Sequence, residues 1–231
     1  MRIIVKFEKG AQLRYLSHLD LQRAFHRAIR RAGVPIAYSQ GFNPHPQTSF
    51  ASALPVGQTG LSEWMEIRLE EGARMSPDDV REALNHTFPE GLFIHAAYPA
   101  PEGYPSLTSA MRSADYTAYP AGDTVVSIPE NELRANIELF LSEPIMVEKR
   151  KKSKGKHVTV QTDIRPMILS MELTDYVNGK PTIAISGRLD ASGGLNAEQA
   201  VKAFGTQIGI DTVWRVQRNC IHLEPKLDNR A

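Results

Sequence analysis

Apolar and polar residues alternate in two early segments of the chain, and this period of two is typical of half-buried strands. Residues 2–8 alternate isoleucine, valine and phenylalanine with charged residues. Residues 62–69 place Trp64 on one side and Met65 and Ile67 on the other. Apolar runs at residues 35–39 and 92–98 predict two further strands.

A helical period separates the first two predicted strands. Ser17 and Asp20 have the spacing of a capping box, and Asp20 places negative charge at the positive end of the helix dipole. Gly33 and Pro35 then provide a stop signal. The face between these signals is apolar at Leu21, Phe25, Ala28 and Ala32.

A second helix is predicted from Ser76, Pro77 and Asp79, which repeat the capping-box spacing with proline at the first helical position. Over residues 1–99 the predicted order is therefore β-α-β-β-α-β, the order of a ferredoxin-like fold, or split βαβ unit.

Residues 100–112 are rich in proline, glycine and serine and are interpreted as a linker. Residues 113–231 repeat the outline loosely. Asn178-Gly179 predicts a hairpin turn between strands at 168–173 and 182–189. The other predicted elements are strands at 115–120, 145–149, 158–164 and 213–224 and helices at 129–141 and 196–204. We expect an α+β protein of two ferredoxin-like halves with antiparallel sheets.

Composition restricts the class of protein. The chain has 231 residues, 42% of them hydrophobic and 23% charged, which is ordinary for a globular protein. The single cysteine, Cys220, excludes an internal disulfide and cannot hold an iron–sulfur cluster unaided. We interpret it as a small buried hydrophobic residue. No apolar run reaches the length of a membrane span, and we expect a cytoplasmic protein.

The predicted first helix carries an arginine row. Its members are Arg23, Arg27, Arg30 and Arg31, and the only acid on the helix is Asp20. Because guanidinium groups bind phosphates and carboxylates, the row is a candidate phosphate-binding face. The alternative is a solvated helix face, which accounts for most surface charge.

A stiff polar loop follows this helix. Pro44 and Pro46 push the residues before them out of the helical region, and Gly41 allows a sharp turn. The side chains that the loop offers for specific contacts are Tyr38, Gln40, Asn43 and His45. A structural crossover is the alternative interpretation.

A second basic segment covers residues 149–157 and contains no acid. Dense blocks of like charge commonly contact nucleic acid, although a solvated hairpin tip is the alternative. The candidate phosphate-binding residues are Lys149, Arg150, Lys151, Lys152, Lys154 and Lys156, with Arg165 downstream.

Catalytic and metal motifs are weak. Ser17, His18 and Asp20 are too close on one helical turn to converge as a hydrolase triad. His18 and His45 are weak candidates for a proton-transfer pair of the kind that metal-independent RNA cleavage uses. The sequence contains no paired-cysteine spacing, no H-E-x-x-H and no P-loop, so we predict no metal site.

The runs YLSHLDLQRAFHRAIRRAG and YSQGFNPHP, with TDIRPMI at residues 162–168, resemble the signature of the radical-SAM-linked proteins. That family has no established activity. The resemblance implies a partner encoded beside, or fused to, a cobalamin-binding-type radical SAM protein, often near genes for ribonuclease E/G and ribosomal proteins. We expect no cofactor in this chain, because one cysteine cannot hold an iron–sulfur cluster unaided. The resemblance implies that the partner would carry an iron–sulfur cluster, S-adenosylmethionine and cobalamin.

These observations lead to one expected function and two rivals. We expect an accessory protein that binds RNA or a ribonucleoprotein and presents substrate to a radical SAM partner. The first rival is an RNA-processing or RNA-modifying enzyme that uses His18 or His45. The second is a protein–protein adaptor whose arginines pair with acids of the partner.

Overall fold

The computed structural model describes residues 1–153 and 156–227. The chain divides into two units, the first formed by Met1–Arg112 with the chain from Arg218 onward and the second by Ser113–Gln217. The helices are α1 (His18–Arg31), α2 (Pro77–Asn85), α3 (Leu107–Ala110), α4 (Glu130–Ser142) and α5 (Ala197–Gln207). The first strands are β1 (Arg2–Lys9), β2 (Thr48–Phe50), β3 (Thr59–Arg68), β4 (Leu92–Pro99) and β5 (Met111–Pro120). The later strands are β6 (Met146–Ser153), β7 (Lys156–Asp163), β8 (Ile168–Val177), β9 (Lys180–Asp190), β10 (Gly193–Gly194) and β11 (Trp214–Leu223).

The first unit has the strand order β4-β1-β3-β2, and the three pairings within it are antiparallel. With α1 after β1 and α2 after β3, this is the ferredoxin-like arrangement. The part of β11 that belongs to this unit also lies beside β3. Cys220 of β11 is partly exposed, so its predicted role as a buried hydrophobic residue is wrong.

The core of the first unit lies between this sheet and its helices. Leu21, Phe25 and Ile29 of α1 are buried against alternate strand residues such as Phe7 and Met65. Phe7 and Phe25 meet edge to face, with ring centroids 5.0 Å apart. The apolar period of α1 and the alternation of β1 and β3 therefore supply the two sides of one core.

The second unit repeats the order β-α-β-β-α-β. Its strands run β8-β9-β5-β11, and the β5–β9 and β8–β9 pairings are antiparallel. Asn178 and Gly179 have positive φ values of 51° and 72°, as the predicted hairpin turn requires. β6 and β7 form a separate antiparallel hairpin between α4 and β8. The predicted α+β class with two ferredoxin-like, antiparallel halves is confirmed.

One predicted strand is replaced by its neighbour. Residues 35–39 make only isolated bridges, Ile36 to Leu69 and Tyr38 to Pro46, whereas β2 provides the regular pairing with β3. Pro35, Pro44 and Pro46 lack the amide hydrogen that a regular ladder needs, so regular pairing begins after them.

Residues 100–112, predicted as a linker, lie inside the first unit. Tyr104 and Leu107 are buried, and Tyr104 donates its hydroxyl to the Pro225 carbonyl at 2.7 Å. Arg2 donates to the Tyr104 carbonyl at 2.8 Å. The composition is that of a linker, but two apolar side chains attach the segment to its unit.

Among the described residues, none of the helices combines the length and the apolar character that crossing a membrane requires.

Candidate nucleic-acid interface

The cap of α1 forms as its sequence predicts. Ser17 Oγ accepts a hydrogen bond from the Asp20 amide at 3.2 Å and donates to the Asp20 carboxylate at 2.7 Å. The pKa of Asp20 is lowered, first by the Ser17 hydrogen bond and then by the one from Arg23. With one face of the helix buried in the core, the predicted arginine row lies on the exposed side.

The four arginines of the row differ in their partners. Arg23 pairs with Asp20 at 3.0 Å, and Arg31 donates to the Thr87 carbonyl at 2.6 Å. Arg27 and Arg30 are exposed, and neither makes a side-chain hydrogen bond or ion pair with any residue in the described ranges. The Cα atoms of these two residues are about 4.5 Å apart along the helix axis, and their guanidinium groups keep their donors available to an external anion.

Hydrogen bonds within the loop fix its shape. The Ser39 amide donates to the His45 carbonyl at 2.9 Å, and the His45 amide donates to Ser39 Oγ at 3.0 Å. Gln47 closes the base, donating its side-chain amide to the Tyr38 carbonyl at 3.0 Å. The backbone of the loop is therefore bonded to itself, which leaves the side chains at its tip for other partners.

The tip of the loop faces solvent. Phe42 is fully exposed, with a relative accessible surface of 106%, and Tyr38 is 43% exposed. Gln40, Asn43 and His45 are exposed as well. Phe42 was not predicted as a contact residue, although a phenylalanine between Gly41 and a proline turn has no helix or strand period that would bury it.

His26 connects the helix to the strand that follows the loop. Its Nε2 lies 2.9 Å from Thr48 Oγ1, so α1 is bonded to the start of β2. The pKa of His26 is lowered, chiefly because burial disfavours the imidazolium and further because of charge at His45 and Arg30. His26 therefore responds to charge on the helix at Arg30 and on the loop at His45. Sequence reasoning missed His26, and its only signal was the spacing of four residues to Arg30.

His18 has a different environment from His45. It is the first residue of α1, and its ring lies edge to face with Phe50 at 5.1 Å. Its Nδ1 is buried without a hydrogen-bond partner in the part of the chain that is described, and burial lowers its pKa. No hydrogen bond joins it to His45 among the described residues, and the candidate pair stays a prediction.

The second basic segment adds less than its sequence implies. Lys149 is partly exposed on β6, opposite Val160. Arg165 donates to the Leu141 and Ile168 carbonyls, so its guanidinium supports the fold around the end of α4. Lys154 lies outside the described residues, as do the side chains of Arg150, Lys151, Lys152 and Lys156.

We call the exposed residues Arg27, Arg30, Tyr38, Phe42 and His45 the α1–loop surface. It combines two cationic forks that bind oxyanions with two aromatic rings that can stack on flat apolar groups. The described residues of this surface include no cluster of three metal-ligating side chains. The side chains of this surface can bind anions and stack on flat rings.

Comparisons with known proteins give a family and some weakly similar solved structures. The model of a family described as "Uncharacterized protein conserved in bacteria (DUF2344)" matches residues 2–201. No curated protein matches the sequence significantly. A chain of a Cbf5-Nop10-Gar1 complex is similar at 10% identity and a TM-score of 0.49, with 95% of this chain and 48% of that chain covered. A chain of an archaeal box H/ACA sRNP Nop10-Cbf5 complex is similar at 11% identity and a TM-score of 0.46, with 94% and 46% covered. The protein thus spans about half the length of these solved chains, and similarity this weak carries no functional argument.

Proposed function

Since the chain belongs to DUF2344, a family conserved in bacteria, we propose its function from its own surface: it binds RNA or a ribonucleoprotein through the α1–loop surface. The observation that carries this proposal is the joint exposure of Arg27 and Arg30 beside a self-bonded loop that presents Phe42.

The arginines are better explained by binding of a polyanion than by simple solvation of the helix face. A solvated helix usually carries acids that neutralise its bases, whereas the single acid of α1 is already bonded to Ser17 and Arg23. The net charge of the chain is only +1, so any attraction for a polyanion must come from such a local patch.

The loop favours RNA over other polyanions. Unpaired bases of RNA stack on exposed aromatic side chains, and their edges accept and donate hydrogen bonds. Phe42 and Tyr38 supply rings, and Asn43 supplies an amide that can read a base edge. Because the loop backbone is already ordered, little conformational entropy is lost when RNA binds.

The proposal is tested by the affinity for structured RNA, measured by fluorescence polarisation with total tRNA and rRNA fragments. Arg27→Gln/Arg30→Gln removes two positive charges and their guanidinium forks without removing helix propensity. We expect its affinity to fall by about tenfold or more, since hydrogen bonds to charged groups contribute about 1.5–3 kcal/mol each.

The matched control is Arg74→Gln/Arg81→Gln, which removes the same charge from another part of the first unit. Equal losses of RNA affinity in the two variants would show that binding depends only on net charge, and this would contradict the proposed surface. Binding of RNA without cleavage or modification of that RNA would also separate this function from that of an RNA-processing enzyme.

We further propose that the bound RNA is presented to a radical SAM enzyme. This part is supported by the sequence resemblance of residues 15–46 and 162–168 to the radical-SAM-linked proteins. It is tested by isolating such an enzyme with this protein before and after ribonuclease treatment. Copurification that resists ribonuclease and survives Arg27→Gln/Arg30→Gln supports the partnership, and failure to copurify in either state contradicts it. If the wild-type protein has no affinity for RNA, and Arg27→Gln/Arg30→Gln abolishes its complex with the enzyme, the result supports the adaptor function instead.

A further inference from the structure

A cavity lies beside β2, at the base of the loop that carries Phe42. Its volume is about 290 Å³. The backbone of Arg68 joins the two ends of this loop, because its carbonyl accepts from the Ala37 amide at 2.8 Å and its amide donates to the Gln47 carbonyl at 3.0 Å. The residues that line the cavity are Gln47, Thr48, Ser49, Glu66 and Arg68.

The cavity and α1 use opposite faces of β2. Thr48 Oγ1 lies 2.9 Å from Nε2 of His26, so this side chain faces α1. Ser49 follows Thr48 in the strand and is paired with Glu66, so its side chain lies on the other face of the sheet. Among the described strands, β2 pairs with β3 alone. An extended ligand can therefore pass around the edge of β2 from the α1 side to the cavity.

Arg68 is the available cation of this cavity. It is exposed, and its guanidinium makes no hydrogen bond or ion pair within the described ranges. Glu66 precedes it on the same face, but both carboxylate oxygens of Glu66 accept from Arg2, at 2.9 and 2.6 Å. Glu70, two residues after Arg68, does not line the cavity. The five N–H donors of Arg68 thus remain available to an anion.

Two other side chains of the wall can form hydrogen bonds. Ser49 is exposed, and its hydroxyl is bonded to none of the residues that the structure describes. Gln47 donates its side-chain nitrogen to the Tyr38 carbonyl at 3.0 Å, which orients the amide and leaves its oxygen as an acceptor. A ribose with its phosphate offers the complementary groups, namely anionic oxygens and a 2′-hydroxyl that both donates and accepts.

We propose that this cavity binds one ribose–phosphate unit of an RNA whose other units occupy the α1–loop surface. The inference rests on the proposed function and adds a preference for RNA over DNA. Arg68 binds the phosphate, and Ser49 Oγ and Gln47 Oε1 bond to the 2′-hydroxyl. The volume of about 290 Å³ is just below the range of roughly 300–1,000 Å³ that holds whole drug-sized ligands, so it suits one unit of a longer chain.

The test compares single-stranded RNA and DNA of one sequence, by fluorescence polarisation with the full chain at several salt concentrations. Arg68→Gln keeps the backbone bonds to the loop and removes the charge. It should weaken binding of both strands by about tenfold and make the salt slope smaller in magnitude by about 0.7, the contribution of one phosphate. Ser49→Ala should weaken binding of RNA by about fivefold and leave that of DNA unchanged, because DNA lacks the 2′-hydroxyl.

The matched control is Arg74→Gln, which removes the charge of another exposed arginine of the first unit, outside the cavity. It should keep the wild-type affinity and salt slope. Thermal melts establish that the three variants are folded. The expected losses in Arg68→Gln and Ser49→Ala, absent from Arg74→Gln, support the cavity.

Three outcomes overturn the inference. Wild-type affinity and slope in Arg68→Gln, while Arg27→Gln/Arg30→Gln loses affinity, exclude the cavity and leave the proposed function standing. Wild-type affinity in both of these variants excludes the cavity and the proposed function together. Equal losses in Arg68→Gln and Arg74→Gln reflect net charge alone and also exclude the cavity.

Discussion

Glu63 and Arg218 form the most buried ion pair that the described residues contain. Each side chain is 3% exposed, and Arg218 Nε donates to Glu63 Oε1 at 2.7 Å with a second, parallel bond beside it. A paired charge at this depth is tolerated because both partners are present, and removing one leaves the other without compensation.

Glu63→Gln should therefore lower the free energy of unfolding by about 3–5 kcal/mol. The control is Glu66→Gln, which breaks the more exposed pair with Arg2, with side chains 14% and 27% exposed. In urea denaturation, the control should lose distinctly less of its free energy of unfolding than Glu63→Gln does. Losses of equal size would contradict the importance of burial.

His26 gives the protein a dependence on pH. Its pKa is lowered by burial and by the charges at His45 and Arg30, so the unfolded chain binds this proton more readily than the folded one. The stability from neutral His26 is present above the unfolded pKa of about 6.5 and is lost as pH falls through the folded pKa.

In urea denaturation at pH 7.5 and 5.5, the wild-type protein should lose more stability on acidification than His26→Gln does. Gln retains a hydrogen-bonding group near Thr48 but cannot be protonated in this range. If His26→Gln loses as much stability on acidification as the wild type does, His26 is excluded as the source of the pH dependence.

Some residues could not be predicted from the sequence. Lys9 is 1% exposed and donates to the Arg14 and Leu16 carbonyls at 3.2 Å, yet it stands in an alternating strand as any surface lysine would. Arg218 and Glu63 are 155 positions apart. A buried charge depends on partners that tertiary contacts bring close, and local patterns contain no information about those contacts.

At the scale of elements, α1 was predictable and the strand after it was not. The cap, the apolar period and the stop of α1 are all within one short segment, so they act locally. The choice between residues 35–39 and β2 as the paired strand depends on which segment reaches β3 with free amides. Prolines in the loop decide that choice, and their effect on pairing appears only when β3 is in place.

The loop has a prediction of its own. Phe42→Ser should leave the melting temperature unchanged, because the ring is fully exposed. It should weaken binding of single-stranded RNA by about 1–3 kcal/mol, the contribution of one stacked base. Leu169→Ser, which removes an exposed apolar side chain of β8, is the control, and its affinity should equal that of the wild type. Unchanged affinity in Phe42→Ser would contradict stacking on the loop.

At the scale of the whole molecule, the two units have the same order of elements without a visible repeat of residues. This order was predictable because hydrophobic periods and turn residues determine elements, and few topologies accept a given series of elements. It was harder to predict from the sequence that the first unit includes residues 100–112 and the chain from Arg218 onward. Composition indicates how stiff a segment is, whereas its attachment depends on single side chains such as Tyr104.

The most direct measurement of the central claim is the salt dependence of RNA affinity. The logarithm of the binding constant falls with the logarithm of salt concentration by about 0.7 per neutralised phosphate of a single strand. If Arg27 and Arg30 each contact a phosphate, their double Gln variant should have a slope smaller in magnitude by about 1.4, while Arg74→Gln/Arg81→Gln keeps the wild-type slope. Identical slopes in the wild type and the Arg27/Arg30 variant would contradict the assignment of the α1–loop surface to RNA.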